Sequence, residues 1–214
     1  MIGLLYKDLL VLRKQMGTYL LFILVYGFLV LKGVFPTSIL SGLVVLTGMM
    51  LPMTSFSYDD LARWDKYAAA LPAGRRGIVA GKYLLALVCI VADGTVALVL
   101  QAALLAFGLE QENLVDLTLV TLSCMGAALL INAVILPFLI KFGAEKSRMI
   151  SMILFVAIFG GCMLAGTLFK GAARDIAPPA WLISALPILL GVLFVGGFIA
   201  SFFVSLRIMA RKEF

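Results

Sequence analysis

The chain has 214 residues, of which 64% are apolar and 13% charged, with a mean hydropathy of +1.16. A soluble domain is about half apolar, so a water-soluble globule is excluded. Several nearly uncharged runs reach the roughly 18–20 residues that cross a hydrocarbon core of about 30 Å. The chain has no histidine, which removes imidazole metal sites, histidine triads and the usual proton-relay residue. Its net charge of +6 is placed as Lys and Arg are placed in cytoplasmic loops, and no nucleic-acid partner is expected.

Residues 1–15 read as an interfacial helix. Ile2, Leu5, Leu9 and Leu12 share one side and Lys7, Asp8 and Lys14 fall elsewhere, which suits a helix in the membrane interface with its basic side on lipid headgroups. The alternative is that this stretch extends the first span. Lys7, Asp8, Arg13 and Lys14 also break the apolar core that a cleavable signal peptide needs. The first span is expected over 16–34, with Lys32 able to snorkel at its far end. The second is expected over 38–56, where Gly42, Gly48 and Pro52 favour a bend.

Residues 58–76 interrupt the apolar pattern. They carry Asp59, Asp60 and Asp65 with Arg63, Lys66, Arg75 and Arg76. Asp59 to Ala70 is helix-compatible, with acids early, where the helix dipole favours them. Tyr58, Leu61, Trp64, Tyr67 and Ala68 are spaced to form one stripe, and Leu71-Pro72 then stops the helix. Such a helix can lie on the membrane or dock in a groove on a partner.

The third span is expected over 77–107, long enough to tilt or to project from the core, and it contains Asp93 and Gln101. An acidic loop over 108–116 leads to a fourth span over 117–140, with Asn132 and Pro137. A polar loop over 141–148 precedes a fifth span over 149–169. The Pro178-Pro179 pair and Trp181 introduce a sixth, over 181–207. The expected architecture is an all-α membrane protein forming one transmembrane domain. It has six transmembrane helices, an N-terminal interfacial helix and a cytoplasmic helix between spans 2 and 3.

Placing both termini on one side gathers there Lys7, Arg13, Lys14, Arg63, Lys66, Arg75, Arg76, Lys82, Lys141, Lys146, Arg148, Arg207, Arg211 and Lys212. Only Lys32, Lys170 and Arg174 remain opposite. This split puts the termini and the 58–76 segment in the cytoplasm, here of a bacterial inner membrane.

Few residues offer chemistry. Gly77 to Tyr83 resembles a phosphate-binding loop only superficially, because three residues rather than four separate its glycines and Tyr83 follows the lysine. ATP is therefore not expected on this chain. Asp93 is the acid deep in a span, where an ionisable group costs roughly 2.5–3.5 kcal/mol on insertion scales. It either lines or gates a pathway, or forms a structural hydrogen bond to Asn132, Gln101 or a hydroxyl.

Met49, Met50, Met53, Met125, Met149, Met152 and Met163 can give a soft lining for varied apolar cargo, or simply fill core and lipid-facing positions. Met49, Met53, Asp93 and Asn132 are the candidates for a translocation path or gate. Gly161/Ala165, Gly196/Ala200 and Gly197/Ser201 are small pairs that let helices approach closely, within one subunit or between two. Cys89, Cys124 and Cys162 read as small buried hydrophobes.

The segments Lys7-Asp8-Leu9, Phe56-Ser57-Tyr58-Asp59-Asp60, Trp64-Asp65-Lys66-Tyr67, Leu71-Pro72, Arg75 and Gly81-Lys82-Tyr83, with the span layout, resemble the ABC-2 type permeases. The resemblance is to the small peptide- and antibiotic-exporter subgroup, similar to phenol-soluble modulin exporter permeases. It implies two permease copies, each seated on a cytoplasmic ABC ATPase that binds ATP and Mg, with no cofactor on this chain and no catalysis by it. It makes the 58–76 helix the coupling helix, with Asp59, Asp60, Arg63, Trp64, Asp65, Tyr67, Arg75 and Arg76 as the ATPase-coupling residues. Peptide or apolar cargo would leave between the copies near spans 2 and 5, under an outer gate whose usual insertion is short here, at 170–179. A proton-coupled secondary transporter using Asp93 is the alternative.

Overall fold

The computed structural model describes residues 2–64, 67, 74–107, 113–172 and 180–211. Every regular element among them is an α-helix: α1 (Ile2–Arg13), α2 (Met16–Leu31), α3 (Ile39–Leu61), α4 (Gly74–Ala106), α5 (Leu114–Ala172) and α6 (Ala180–Ala210). Asp65, Ala68, Leu71, Pro72 and the stretches 108–112 and 173–179 lie outside the described residues. Helix is the form this composition demands, since lipid offers the backbone no hydrogen-bond partner.

Among the described residues, Ile39–Leu61, Gly74–Ala106, Leu114–Ile150 and Gly191–Ala210 are long and apolar enough to cross a membrane. The α1–α2 pair, bent by 59°, adds a fifth if counted as one span. The chain is a multi-pass membrane protein. α3, α4 and α5 pack on one another, α6 packs on α4 and α5, α1 lies against α3 and α4, and α2 is held mainly by α3.

Two helix boundaries differ from expectation in a way that shapes the site. α3 continues past Phe56 to Leu61, so Asp59 and Asp60 belong to the end of the second span and not to a separate helix running to Ala70. The chain turns at Ala62–Arg63, where Arg63 takes a left-handed φ of 48°, the conformation that commonly ends a helix. α4 begins at Gly74, so Arg75 and Arg76 are its first turn.

The polar loop expected over 141–148 is reduced to a single break inside α5 at Gly143, with φ 80° and ψ 175°. That backbone region is essentially restricted to glycine. It divides α5 into a first limb, 114–142, and a second limb, 144–172.

Prolines inside α3 and α5 are each repaired by a neighbouring helix. A proline removes the amide that the carbonyl four residues earlier would accept from. Pro52 thus frees the Gly48 carbonyl, and Asn132 Nδ2 on α5 donates to it at 2.9 Å. Pro137 frees the Ala133 carbonyl, and Ser201 Oγ on α6 donates to that one. Asn132→Leu is therefore expected to cost about 1–3 kcal/mol, the penalty of an orphaned buried acceptor. Adding Pro52→Ala, which restores the helical donor, should recover most of the loss. Equal instability of the single and double variants in a thermal unfolding series would refute this pairing.

Small residues set the closest approaches. A Cβ on Gly126 would overlap the Phe194 ring, and one on Gly197 would lie 3.2 Å from Leu130. The Gly197/Ser201 face is thus an internal contact between α6 and α5. Gly196, Ala200, Gly160 and Gly161 are exposed.

Candidate functional site

At the end of the bundle where α1, the end of α3, the start of α4 and the α5 break meet, four charges are packed together. Asp59 on α3 takes Lys7 Nζ of α1 at 2.5 Å on Oδ1 and Lys82 Nζ of α4 at 2.5 Å on Oδ2. Asp8 lies 3.0 Å from Lys7 Nζ and 3.2 Å from Lys82 Nζ. Lys82 also donates to Ser55 Oγ at 2.7 Å. Asp8, Asp59 and Lys82 are all buried, Lys82 to 5% exposure. The charges cancel in number, and the extra donors and acceptors meet the condition under which buried ions are tolerated.

The aromatic rings complete the shell. Lys7 Nζ sits 4.5 Å above the Trp64 ring and Lys82 Nζ 4.9 Å from the Phe56 ring, both within cation–π range. The amphipathic reading of α1 is corrected accordingly. Its Lys7–Asp8 pair faces inward onto α3 and α4, while Tyr6, Leu9 and Leu10 are exposed. The ion partners on α3 and α4 outweigh the apolar pattern.

Asp60, the next residue, serves a different element. Its Oδ2 accepts the Ala144 amide at 2.6 Å, which is the first amide of the second limb of α5 and has no intrahelical acceptor. A carboxylate there is also favoured by the helix dipole. Arg75 Nη1 donates to the Ala210 carbonyl at 2.8 Å, capping the opposite kind of terminus at the end of α6.

The expected coupling residues are thus split by the structure. Asp59, Asp60 and Trp64 are engaged within the chain, and Arg75 reaches α6. Arg63, Arg76 and Tyr67 are exposed. Leu61 is the most exposed large apolar residue here, at 82%, followed by Tyr67 at 68%.

A second feature lies deeper, between α2, α3 and the second limb of α5. An open cleft of about 760 Å³ is lined by Met49, Met50, Met53 and Met152, with Tyr19, Phe22 and Val156, and with Gln15, Thr18 and Arg148 among its polar residues. This is within the size range of small-molecule sites. Met49 and Met53 are therefore brought together on one wall. Asp93 and Asn132 are not part of it. Asn132 commits its amide protons to the Gly48 and Ala128 carbonyls.

Asp93 borders a separate cavity of about 40 Å³ with Tyr19, Val44, Thr47 and Ala97. Its side-chain neighbour is the Thr47 hydroxyl, whose proton goes to the Leu43 carbonyl, and Asp93 Oδ2 has no hydrogen-bond partner. Gln101, the other span amide, is tied to Ser41 at 2.7 Å and Thr121 at 3.1 Å.

The family profile described as ABC-2 family transporter protein matches residues 3–210. The chain belongs to the ABC-2 transporter family. No curated protein and no solved structure matches it. An ABC-2 chain is the membrane subunit of an ABC transporter, not itself catalytic, and the family implies an ABC ATPase partner.

In this permease the residues that sequence reasoning missed are Lys7, Asp8 and Lys82 acting as one cluster with Asp59. The available signal was Lys82. It is a base set inside an otherwise apolar run, and such a residue is paired by default.

Proposed function

We propose that this permease is the membrane-spanning half of an exporter driven by ATP hydrolysis in a separate nucleotide-binding subunit, and that it works as two copies with two ATPases. In this reading six spans cross a bacterial cytoplasmic membrane, both termini are cytoplasmic, and the 58–76 segment seats on the ATPase. The observation that carries it is the pairing of exposure with anchorage. Leu61 and Tyr67 stand out from a segment whose base is fixed by the Asp59–Lys7–Lys82 cluster. Exposed apolar side chains on a rigid base suit docking, because little conformational entropy is lost on binding.

The cargo class is supported by the cleft. Its methionines adapt to varied shapes, and its mixture of apolar residues with Gln15, Thr18 and Arg148 suits amphipathic peptides or hydrophobic antibiotics. Cargo would move along the α3 wall, where Met49 and Met53 lie.

A second reading, proton-coupled transport, is favoured by one observation, the unpartnered Asp93 Oδ2 beside a small cavity. Reconstituting the chain with and without its cognate ATPase separates the two. The exporter reading expects ATP-dependent loss of a labelled amphipathic peptide from the donor side, with Asp93→Asn retaining it within about threefold, as for an interaction worth less than 1 kcal/mol. Uptake by the chain alone under a proton gradient, abolished in Asp93→Asn, would reverse the preference.

A further inference from the structure

Asp59 and Asp60 are consecutive, so their side chains leave α3 about 100° apart. Asp59 points into the ion cluster that joins α1, α3 and α4. Asp60 points to Ala144, where the second limb of α5 begins. The same limb carries Arg148, Met152 and Val156, four residues apart and hence on one face, and this face is one wall of the methionine-lined cleft. The facing wall, Met49, Met50 and Met53, is on α3, the helix whose last turn carries Asp60. The two walls thus belong to elements joined near one end by a carboxylate–amide bond.

The joint has a hinge beside it. Gly143 holds a backbone conformation restricted to glycine, and a Cβ there would lie 3.0 Å from Asp60 Oδ2. Hinge motions are absorbed by a few residues able to change φ and ψ at the ends of elements, and Gly143 is placed where such a change swings the second limb. The first limb is fixed independently, through Asn132 to α3 and through Ala133 to α6.

We propose that Asp60 is a positioning residue, a latch by which the last turn of α3 sets the width of the methionine-lined cleft. Movement at Ala62–Arg63, the turn that follows α3, rotates the end of α3. Asp60 carries that rotation to the Ala144 amide, and the second limb pivots at Gly143. The source of the movement rests on the docking function proposed above; the latch itself does not, and is tested on the permease alone.

The experiment places spin labels at Met53→Cys and Met152→Cys in a chain with Cys89, Cys124 and Cys162 replaced by alanine, reconstituted in lipid nanodiscs without ATPase. A control pair at Val99→Cys and Leu122→Cys reports on α4 against the first limb of α5. Asp60→Ala is expected to raise the ratio of wide to narrow cleft distances about tenfold, as for the loss of one hydrogen bond to a charged acceptor. The isosteric Asp60→Asn, which keeps an acceptor without the charge, should give about threefold. Gly143→Ala should widen the cleft with Asp60 intact. The control pair should not change in any of them.

A cap that only stabilised the fold would loosen both pairs alike, and that result overturns the proposal. So does a wild-type distance distribution in both Asp60→Asn and Gly143→Ala, the variants that remain informative if Asp60→Ala does not fold. Failure of ATPase binding in separate assays would leave a positive distance result standing.

Discussion

Lys82→Met is expected to destabilise the protein by about 3–5 kcal/mol, the cost of removing one partner from a buried ion network. Lys82 is the central base of the cluster, reaching Asp59 at 2.5 Å, Asp8 at 3.2 Å and Ser55 at 2.7 Å. Without it two carboxylates share Lys7 alone, and Asp59 and Asp8 are both buried. Methionine matches the stem of lysine in length, so lost packing contributes little.

A compensating change makes the prediction specific. Asp8→Asn added to Lys82→Met removes the surplus negative charge and leaves the Lys7–Asp59 pair. The double variant should recover at least 1 kcal/mol, within the range of coupling energies between residues in one network. The check is a denaturant titration in detergent micelles, read in parallel with trypsin cleavage after Arg13 and Lys14. Release of α1 should accompany the single change and be suppressed in the double. A cost below about 1 kcal/mol would mean that water reaches the cluster and screens it, as at a surface pair.

The all-helical membrane class followed from composition, because apolar runs near 20 residues in lipid have no stable alternative to helix. The candidate methionines Met49 and Met53 fell together because residues four apart share a helix face. What periodicity could not supply was the sign of burial at charged positions. On α1 the apolar pattern placed Lys7 and Asp8 toward headgroups. Their partners are 52 and 74 residues away along the chain, and a local pattern holds no information about them. The same is true of Asn132, whose partner, the Gly48 carbonyl, lies on another helix and is left free by Pro52.

At the start of the 58–76 stretch one backbone conformation decides which side chains face outward. Spacing gives one aromatic stripe through Tyr58, Leu61, Trp64 and Tyr67. The turn at Ala62–Arg63 instead ends α3 and sets the placement of Trp64. Trp64 then packs partly buried against the core around Phe56 and Leu139 and under Lys7. A single left-handed residue changes which side chains face outward, and a non-glycine residue with positive φ is uncommon enough that no pattern argues for it.

That division of the stripe separates docking from folding. Leu61→Asp combined with Tyr67→Ala is expected to weaken ATPase binding by at least about 30-fold, equivalent to the roughly 2 kcal/mol that defines an interface hot spot. Stability should stay within about 0.5 kcal/mol of wild type, as for exposed positions. Trp64→Ala should do the reverse in order of cause. It removes a ring packed on the core and beneath Lys7, costs about 1–3 kcal/mol of stability, and weakens ATPase binding only as far as the segment loses its shape. Measuring affinity for the cognate ATPase by co-purification and titration, with unfolding followed on the same preparations, resolves the two. Wild-type affinity in the Leu61/Tyr67 variant would show that these side chains lie on lipid and not on a partner. Loss of affinity in Trp64→Ala at unchanged stability would return Trp64 to the interface. The ion cluster gives the reason to expect the first division: a docking surface transmits force only if something behind it does not yield, and Trp64 is on the side of the segment that meets Lys7.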